Sequence, residues 1–263
     1  MLPVERRNLI IGKLKMEKMV YVAPLAKEFD VSEETIRRDL ERLDREGIAT
    51  KSYGGATIRE SKALDLPFNV RRSHHVTEKQ IIGALVANMV EEGDHLFLDA
   101  SSTAVYVASA IKNLDLPELT VVTNSIENLM ELSGRPEWTI LSTGGRLADR
   151  YLALFGPTAC EGIRSFHADK AFISCKGVSP ELGVMEGSEE VMQTKRAMIA
   201  GATEVWLTVD SSKFGQAAFS KVCSLDKITG IISDRYPPEH FAEQCQAMGV
   251  QIVWPGAGKE LSA

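Results

Sequence analysis

Seven short apolar runs rich in β-branched residues recur between residues 95 and 254, and segments of helical periodicity separate most of them. The runs are HLFLD, LTVVT, WTILS, KAFISC, EVWLTV, ITGIIS and VQIVW. Strands that are apolar on both faces are typical of a parallel sheet covered by helices. We therefore predict an α/β fold with a mainly parallel sheet for residues 77–263, which begin with a helix capped by Thr77 and Gln80.

The first 58 residues follow a different pattern, that of three helices and a hairpin. Helical periodicity covers VERRNLIIGKLKMEK and APLAKEF, and a third helix starts at the N-cap Ser32 and ends before Gly47. The following run IATKSYGGATI predicts two short strands around a glycine pair. This order predicts a winged helix-turn-helix domain over residues 1–58. Residues 59–76 lack a clear period and are predicted to be a linker.

The predicted third helix carries a buried stripe opposite a face rich in arginine. On a helical wheel Ile36, Leu40 and Leu43 fall on one side. Arg38, Arg42 and Arg45 fall nearly opposite and are expected to face solvent. Such a helix suits the major groove of DNA, where arginines bond guanine edges or phosphates. The alternative is a solvated face with charge pairs four residues apart. The surrounding elements favour DNA binding, and the predicted contacts on this helix are Ser32, Thr35, Arg37, Arg38 and Arg42.

Charge and cysteine usage narrow the class of protein. The whole chain has a net charge of -6, but its first 60 residues hold 12 Lys and Arg against 11 Asp and Glu, which suggests two units with different partners. The four cysteines form no C-x-x-C pair and are predicted to be buried thiols of a reducing compartment. No signal peptide is evident, and no apolar run reaches the roughly 18–20 residues that cross a membrane. We expect a cytoplasmic protein.

Small polar residues and lysines follow several of the predicted strands. In an open parallel sheet ligands bind beyond the carboxyl ends of the strands, so these residues are expected to converge on one cleft. Hydroxyls and backbone amides at the start of a helix suit an anion, although any one loop could be an ordinary turn. The predicted ligand-binding residues are Asp99, Ser101, Ser102, Thr103, Thr123, Asn124, Gly144, Gly145, Lys176, Asp210 and Lys213.

Two other groups of side chains receive no functional assignment. Lys195 lies beside Arg196 on a predicted helix, and we expect it to be solvated surface. The five histidines show no metal-binding spacing. We therefore predict neither a metal nor a cofactor.

Two parts of the sequence resemble one known family. The run VAPLAKEFDVSEETIRRDLERLDREGIATKSYGGA resembles the DNA-binding head of the DeoR family of bacterial transcription regulators. The segments LDASSTA, TNS, TGG, FISCKGV and VDSSKFG resemble the sensor domain of that family, in the same order and at similar spacing. The resemblance covers roughly residues 4–235. It implies that Lys51 and Tyr53 also contact DNA, although the family more often has arginine and histidine there.

The sensor fold of this family is similar to ribose-5-phosphate isomerase, and the resemblance implies a site for a phosphorylated sugar or related metabolite. The family's D-S-G-T-T loop corresponds to residues 99–103, with Ser101 in place of the usual glycine. Lys176 stands where the family more often has an acidic residue. The expected function is a regulator, most often a repressor in this family, of sugar or polyol metabolism genes. Its expected partner is double-stranded operator DNA, which it would bind as a homodimer or homotetramer.

Two other functions remain open at this stage. A sugar-phosphate isomerase with an accessory DNA-binding head would need a carboxylate in the cleft, for which Asp99 and Asp210 are the candidates. The chain offers no clear second acid or base, and an isomerase gains nothing from a winged helix, so we expect no catalytic activity. The third hypothesis is a constitutive DNA-binding protein whose larger domain only forms oligomers.

Overall fold

The computed structural model describes residues 3–58 and 66–256, and the chain divides into two compact units, Met1–His74 and His75–Ala263. We call them the head and the sensor unit. Of the predicted linker, residues 59–65 lie outside the described residues. None of the helices within the described ranges combines the length and the apolar character that crossing a membrane requires.

The head consists of short helices around a three-stranded sheet. The strands pair antiparallel in the order β1-β3-β2, so that β2 and β3 form the predicted hairpin. This arrangement confirms the winged helix-turn-helix fold. The elements are α1 (Pro3–Glu17), β1 (Met19–Tyr21), α2 (Val22–Phe29), α3 (Glu33–Arg45), β2 (Ala49–Ser52), β3 (Gly55–Ile58) and α4 (Phe68–Arg72).

The apolar stripe of α3 lies in the core of the head. Ile36, Leu40 and Leu43 are at most 1% exposed, which confirms the buried face that the helical wheel predicted. They share this core with side chains of α1, including Ile10 and Leu14. Burying several aliphatic side chains, at about 1.5–3 kcal/mol each, holds α3 with its charged side facing outward.

Helix α4 lies within the segment that was predicted as a linker. Phe68 and Val70 are buried there, and Val70 belongs to the core of the head. A helix of five residues is too short to show a helical period. For this reason the sequence pattern did not reveal it.

The sensor unit is built around one parallel sheet of seven strands. Their order is β15-β14-β12-β9-β4-β5-β6, and all neighbours run parallel. These strands correspond to the seven apolar runs, so the predicted α/β fold is confirmed. The elements are α5 (Val76–Ala87), β4 (His95–Leu98), α6 (Ser102–Lys112), β5 (Thr120–Thr123), α7 (Ile126–Leu132), β6 (Thr139–Ser142), β7 (Arg146–Ala148), β8 (Ala153–Phe155), α8 (Pro157–Arg164), β9 (Ala168–Ile173), β10 (Gly177–Ser179), β11 (Gly183–Glu186), α9 (Glu189–Ala200), β12 (Ala202–Thr208), β13 (Ser220–Cys223), β14 (Gly230–Ile232), α10 (Glu239–Ala247) and β15 (Gln251–Val253).

The chain builds this sheet outward from its centre in both directions. Strands β4, β5 and β6 extend one way, and β9, β12, β14 and β15 extend the other, so the topological switch point lies between β4 and β9. Successive side chains alternate between the two faces. Phe97 and Ala171 belong to one core with residues of α8, α9 and α10, while Leu96, Leu98 and Phe172 belong to a second core with residues of α5 and α6.

Several local features differ from the sequence prediction. Helix α5 starts at Val76 after His75, which has a left-handed φ of 52°, so the capping box at Thr77 is wrong. The hairpin of β7 and β8 and the antiparallel sheet β10-β11-β13 were not predicted. Their strands have three or four residues, which is too short for a clear alternation.

The cysteines are free thiols, as predicted. Cys160, Cys175 and Cys245 are buried and Cys223 is partly buried. Burial raises the pKa of Cys245 to about 11. A thiol with so high a pKa is almost entirely protonated at neutral pH and a poor nucleophile.

Candidate nucleic-acid interface and ligand site

The exposed N-terminal end of α3 is closed by a side-chain cap. The hydroxyl of Ser32 accepts a hydrogen bond from the backbone N–H of Thr35 at 3.2 Å, and the two side-chain oxygens lie 2.9 Å apart. This confirms Ser32 as the N-cap. The cap fixes the end of the helix that the head would direct into a DNA groove.

The predicted DNA-contacting arginines are exposed on α3. The side chains of Arg37, Arg38 and Arg42 are 53%, 75% and 60% exposed. Each pairs with a carboxylate four residues away. Exposed pairs of this kind contribute about 0.3–0.5 kcal/mol, so a guanidinium can exchange its carboxylate for DNA at small cost. The pairs are Arg37–Glu33 at 2.6 Å, Arg38–Glu34 at 3.2 Å and Arg42–Glu46 at 2.9 Å.

The hairpin places the other two predicted contacts beside this helix and at its own tip. Lys51 on β2 donates from Nζ to Glu41 Oε1 of α3 at 2.7 Å. This hydrogen bond, with the charge of Lys51, lowers the pKa of Glu41. Tyr53 is fully exposed in the turn between β2 and β3. The structure thus connects the hairpin to α3, and DNA contact by these residues stays a prediction.

A buried ion pair fastens α3 to α1. Arg6 Nε donates to Asp39 Oδ2 at 2.6 Å, and both side chains are buried. Arg7 Nη1 lies 3.5 Å from Asp39 Oδ1. Sequence analysis did not single out these residues, because their pairing links positions 33 apart in the chain.

The predicted ligand-binding loops lie at one edge of the large sheet. Asp99 follows β4, Thr123 ends β5, Gly144 follows β6, Lys176 follows β9 and Asp210 follows β12. Because all these strands are parallel, their carboxyl ends lie at the same edge. The expected convergence of the loops on this edge is therefore present.

The carboxylate of Asp99 is committed to bonds within the protein. It accepts from the backbone N–H groups of Ser101 at 2.9 Å and Ser174 at 2.8 Å, and it lies 2.9 Å from Lys195 Nζ. Burial alone would raise the pKa of Asp99, but the Lys195 ammonium and the two hydrogen bonds outweigh it and lower the pKa. Asp99 therefore joins the loops after β4 and β9 across the switch point.

Lys195 is buried, and the prediction that it is solvated surface is wrong. Only 4% of the residue is exposed. Its Nζ lies 2.5 Å from both Glu186 Oε1 and the backbone oxygen of Ser174, in addition to Asp99. Burial alone would lower the pKa of Lys195, but the two carboxylates reverse this effect and raise it.

A signal for Lys195 is present in the sequence. It lies three residues after Met192 and three before Met198, and both methionines are buried. Positions at this spacing share a helix face, so a wheel drawn for α9 places Lys195 on the apolar side. Glu186 and Ser174 offer no such signal, because they reach Lys195 only through the tertiary fold.

Two buried asparagines, Asn124 and Asn128, follow β5 near the loop that carries Asp99. Asn128 Nδ2 donates to the backbone oxygen of Asp99 at 2.9 Å and to Thr123 Oγ1 at 3.0 Å, while Asn124 Nδ2 donates to Leu154 O at 3.0 Å. These bonds fix the orientation of both amides. Within the described part of the chain, neither side-chain oxygen has a hydrogen-bond partner. Buried acceptors of this kind are exceptional in native proteins.

The remaining predicted residues shape the loops in other ways. Ser101 is the N-cap of α6 and accepts from Ala104 N at 3.0 Å, and Ser102 and Thr103 are buried in the first turn. Gly144 and Gly145 have φ values of 67° and 115°. A Cβ at Gly145 would lie 2.7 Å from the backbone oxygen of Phe155, so glycine allows the close approach.

Charges of both signs surround the buried thiol of Cys175. Its pKa is raised first by burial and then by Glu186, while Lys195 and Lys213 act in the opposite direction. Lys213 Nζ lies 3.9 Å from Asp210 Oδ2. Burial would raise the pKa of Asp210, but Lys213 and the hydrogen bonds from Ser212 hold it below its usual value. The loops after β9 and β12 thus meet near α9.

Lys176 also lies near this part of the sensor unit. Its backbone N–H donates to Met185 O at 3.0 Å. Its Nζ lies beside Gly187, where a Cβ would be 2.9 Å away. Among the residues that the structure describes, no three His, Cys, Asp or Glu side chains are grouped to hold a metal ion. The loops at this sheet edge carry lysines, a helix N-terminus and carboxamide oxygens, groups whose chemistry suits an anion that carries hydroxyl groups.

Comparison with known proteins connects both units to one family. A model of the DeoR C terminal sensor domain matches residues 74–235, and a model of the DeoR-like helix-turn-helix domain matches residues 6–62. The chain belongs to the DeoR family. It is accordingly a DNA-binding transcriptional regulator, and the expectation that it is not an enzyme is confirmed by relatives that are named as regulators.

Two such relatives of this DeoR-family chain span nearly its whole length. The L-fucose operon activator of Haemophilus influenzae is 32% identical over 94% of this chain and 98% of its own. The glycerol-3-phosphate regulon repressor of Escherichia coli is 30% identical over 89% of this chain and 92% of its own. Among solved structures, ribose 5-phosphate isomerase A from Methanocaldococcus jannaschii is 17% identical, with a TM-score of 0.39 over 52% of this chain and 54% of its own.

Proposed function

We propose that the chain is a repressor of sugar or polyol metabolism genes whose binding to operator DNA is controlled by a phosphorylated sugar or related metabolite. The repressor sign is supported by the Escherichia coli relative, a glycerol-3-phosphate regulon repressor. The Haemophilus influenzae relative, an activator, makes activation the second candidate. We further propose that the regulator acts in the cytoplasm as a homodimer or homotetramer.

The buried side-chain oxygens of Asn124 and Asn128, which accept no hydrogen bond from any described residue, carry the proposal for the ligand. An acceptor that is buried without a donor is costly, and a sugar hydroxyl is a suitable donor. The neighbouring N-terminus of α6 suits a phosphate group. Lys213 and Lys176 supply positive charge on the loops of the same sheet edge, so a phosphorylated and hydroxylated ligand matches both kinds of group.

Control of DNA binding requires that the ligand favour one state of the regulator over another. A ligand with equal affinity for the DNA-binding and non-binding arrangements would shift neither. Coupling in such systems typically changes affinity by about 5–150-fold. We propose that a change in the arrangement of heads within an oligomer transmits this coupling.

A screen of the full chain tests the proposal. Thermal unfolding is measured with a panel of phosphorylated sugars and polyols, each paired with its unphosphorylated counterpart. We expect at least one phosphorylated compound to raise the melting temperature, because a ligand that binds only the folded state stabilises it. The same compound should weaken binding to a duplex from the promoter region of the chain's own gene.

Three outcomes would contradict parts of this proposal. Turnover of a phosphosugar at ordinary enzyme rates would reinstate the isomerase hypothesis. A panel without any stabilising compound would favour the constitutive DNA-binding protein. A phosphorylated compound that strengthens DNA binding in the same assay would contradict the proposal that the ligand weakens DNA binding. It would not contradict the proposed class of ligand.

A further inference from the structure

The head contains an open cleft between the N-terminal part of α1 and the C-terminal half of α3. Its volume is about 540 Å³. We call it the α1–α3 cleft. Its lining consists of Arg7, Arg38, Asp39, Arg42, Arg45 and Glu46. Four guanidinium groups therefore face two carboxylates, which leaves the cleft with excess positive charge.

The ion pairs show which arginines carry this excess. The charge of Asp39 is already neutralised by the buried Arg6, whose Nε lies 2.6 Å from Asp39 Oδ2. Arg7 is therefore a second cation beside the same carboxylate. Arg42 is paired with Glu46 at 2.9 Å. Within the cleft these pairs leave the charge of Arg7 uncompensated.

Arg45 is the second arginine of the cleft whose charge no ion pair neutralises. The nearby Glu41, whose pKa Arg45 helps to lower, is already hydrogen-bonded to Lys51. Arg45 is exposed in the last turn of α3. Among the described residues it makes no hydrogen bond, and no carboxylate oxygen lies within 4.0 Å of its guanidinium. A guanidinium at this position also interacts favourably with the C-terminal end of the helix dipole. Stabilisation of the helix end would explain Arg45 alone. It would not explain why three other arginines line the same cleft.

We propose that the α1–α3 cleft binds a phosphodiester group of duplex DNA, with Arg7 and Arg45 as the phosphate-contacting residues. The inference rests on the proposed function, since it adds a contact to the same DNA-binding head. The planar fork of a guanidinium matches phosphate oxygens and binds them in pairs. Arg38 and Arg42 line the cleft and also belong to the exposed face of α3, so the DNA-binding surface continues into it. The predicted contacts Ser32 and Thr35 lie at the opposite end of this helix.

The test is the salt dependence of DNA binding by the full chain. Arg7→Ala and Arg45→Ala are compared with Arg164→Ala, which removes an exposed arginine from α8 of the sensor unit. The probes are a duplex from the promoter region of the chain's own gene and an unrelated duplex of equal length. Affinity is measured between about 50 and 200 mM salt, the range over which phosphate contacts have large effects.

We expect Arg7→Ala and Arg45→Ala to weaken binding several-fold on both duplexes alike. Each should reduce the slope of log affinity against log salt by about 0.9 for every head that contacts the duplex. Arg164→Ala should leave affinity and slope unchanged. Arg7→Lys and Arg45→Lys keep the positive charge and should retain most of the slope.

The inference would be overturned if the wild-type chain binds DNA and both alanine variants bind it with the same affinity and the same salt dependence. The proposed function would then remain intact. A wild-type chain that binds neither duplex would instead contradict the proposed function. If Arg7→Ala does not fold because it loses its contact with Asp39, the result for Arg45→Ala decides, since among the described residues the Arg45 side chain makes no hydrogen bond or ion pair. A lower melting temperature of Arg45→Ala without a change of slope would reduce Arg45 to a helix-stabilising residue and overturn the inference.

Discussion

At the scale of single residues, exposed and buried charges have opposite consequences in this regulator. The side chain of Arg38 is 75% exposed and pairs with Glu34 on the same helix surface. Lys195 is 4% exposed and bonded to three acceptors. Removing the first side chain therefore tests binding with little effect on folding, whereas removing the second leaves charges in the interior.

Arg38→Ala should weaken binding to promoter DNA at least tenfold and change the free energy of unfolding by less than about 0.5 kcal/mol. The reason is that a surface pair contributes little to stability, while a guanidinium fork on a base or phosphate contributes much to affinity. Fluorescence anisotropy with labelled duplex measures the affinity, and Arg164→Ala is the matched control. Equal affinities of Arg38→Ala and wild type would count against α3 as the recognition helix.

Lys195→Met should lower the free energy of unfolding of the sensor unit by about 3–5 kcal/mol, because Asp99 and Glu186 would remain buried without their cation. All three tryptophans of the chain lie in the sensor unit, so denaturant unfolding followed by tryptophan fluorescence reports on this unit. The control is Lys227→Met, whose ammonium is largely exposed beside Asp226. A loss below about 1 kcal/mol would mean that the buried cluster contributes no more than an ordinary surface pair.

The same variant should be less defective at pH 5 than at pH 8. In wild type the raised pKa of Lys195 gives stability that is lost only above its unfolded value of about 10.4, and the lowered pKa of Asp99 gives stability that is lost only below about 3.9. Both contributions are therefore constant between pH 5 and 9. In Lys195→Met the desolvated carboxylate of Asp99 should have a raised pKa, so the variant should gain stability by binding a proton there as the pH falls. An equal stability difference between wild type and variant at both pH values would refute this account.

At the scale of elements, one glycine decides whether the winged hairpin can form. A Cβ at Gly55 would overlap the backbone oxygen of Val20, because β3 pairs with β1 at this point. At Gly12 in α1, such a Cβ would meet no atom of the described residues within 4 Å beyond the neighbouring backbone of the helix itself. The two positions therefore respond to the same substitution in opposite directions.

Gly55→Ala should separate β1 from β3, destabilise the head and reduce DNA affinity, whereas Gly12→Ala should stabilise the head by about 0.5–1 kcal/mol through helix propensity. Hydrogen exchange of the amides in β1 and β3 measures both changes. Tryptophan fluorescence should show unchanged unfolding of the sensor unit. Slower exchange in Gly55→Ala than in wild type would show that the strands tolerate the extra methyl group.

At the scale of the whole molecule, the DNA-binding head and the unit proposed to bind the ligand have separate cores. Lys213→Ala should keep promoter affinity within about twofold of wild type and abolish the response to the effector, since it alters only the sensor unit. Lys221→Ala, an exposed lysine on β13 of that unit, is the control and should retain the response. The measurement is promoter affinity with and without the stabilising compound from the thermal screen. A full response in Lys213→Ala would move the ligand site away from the loop after β12.

The sequence alone determined the features that depend on local pattern. The alternation of apolar runs with helical segments predicted the parallel sheet, and the spacing of Ile36, Leu40 and Leu43 predicted the inner face of α3. Ser32 was recognisable as an N-cap because its bond reaches only three residues along the chain. The strand ends also located the polar edge of the sheet, because parallel strands place their carboxyl ends together.

Only the tertiary structure decided which polar groups meet. The sequence does not show that Asp99, Ser174 and Lys195 converge, since they lie on separate elements that the switch point brings together. Asp99, which stays a predicted ligand contact, is bonded within the protein, whereas Lys195 lies in the interior and not on the surface as predicted. The pairing of Arg6 with Asp39 likewise depends on how α1 crosses α3. Local patterns reflect which side of an element is buried, whereas partners across the fold depend on the packing of elements that are distant in sequence.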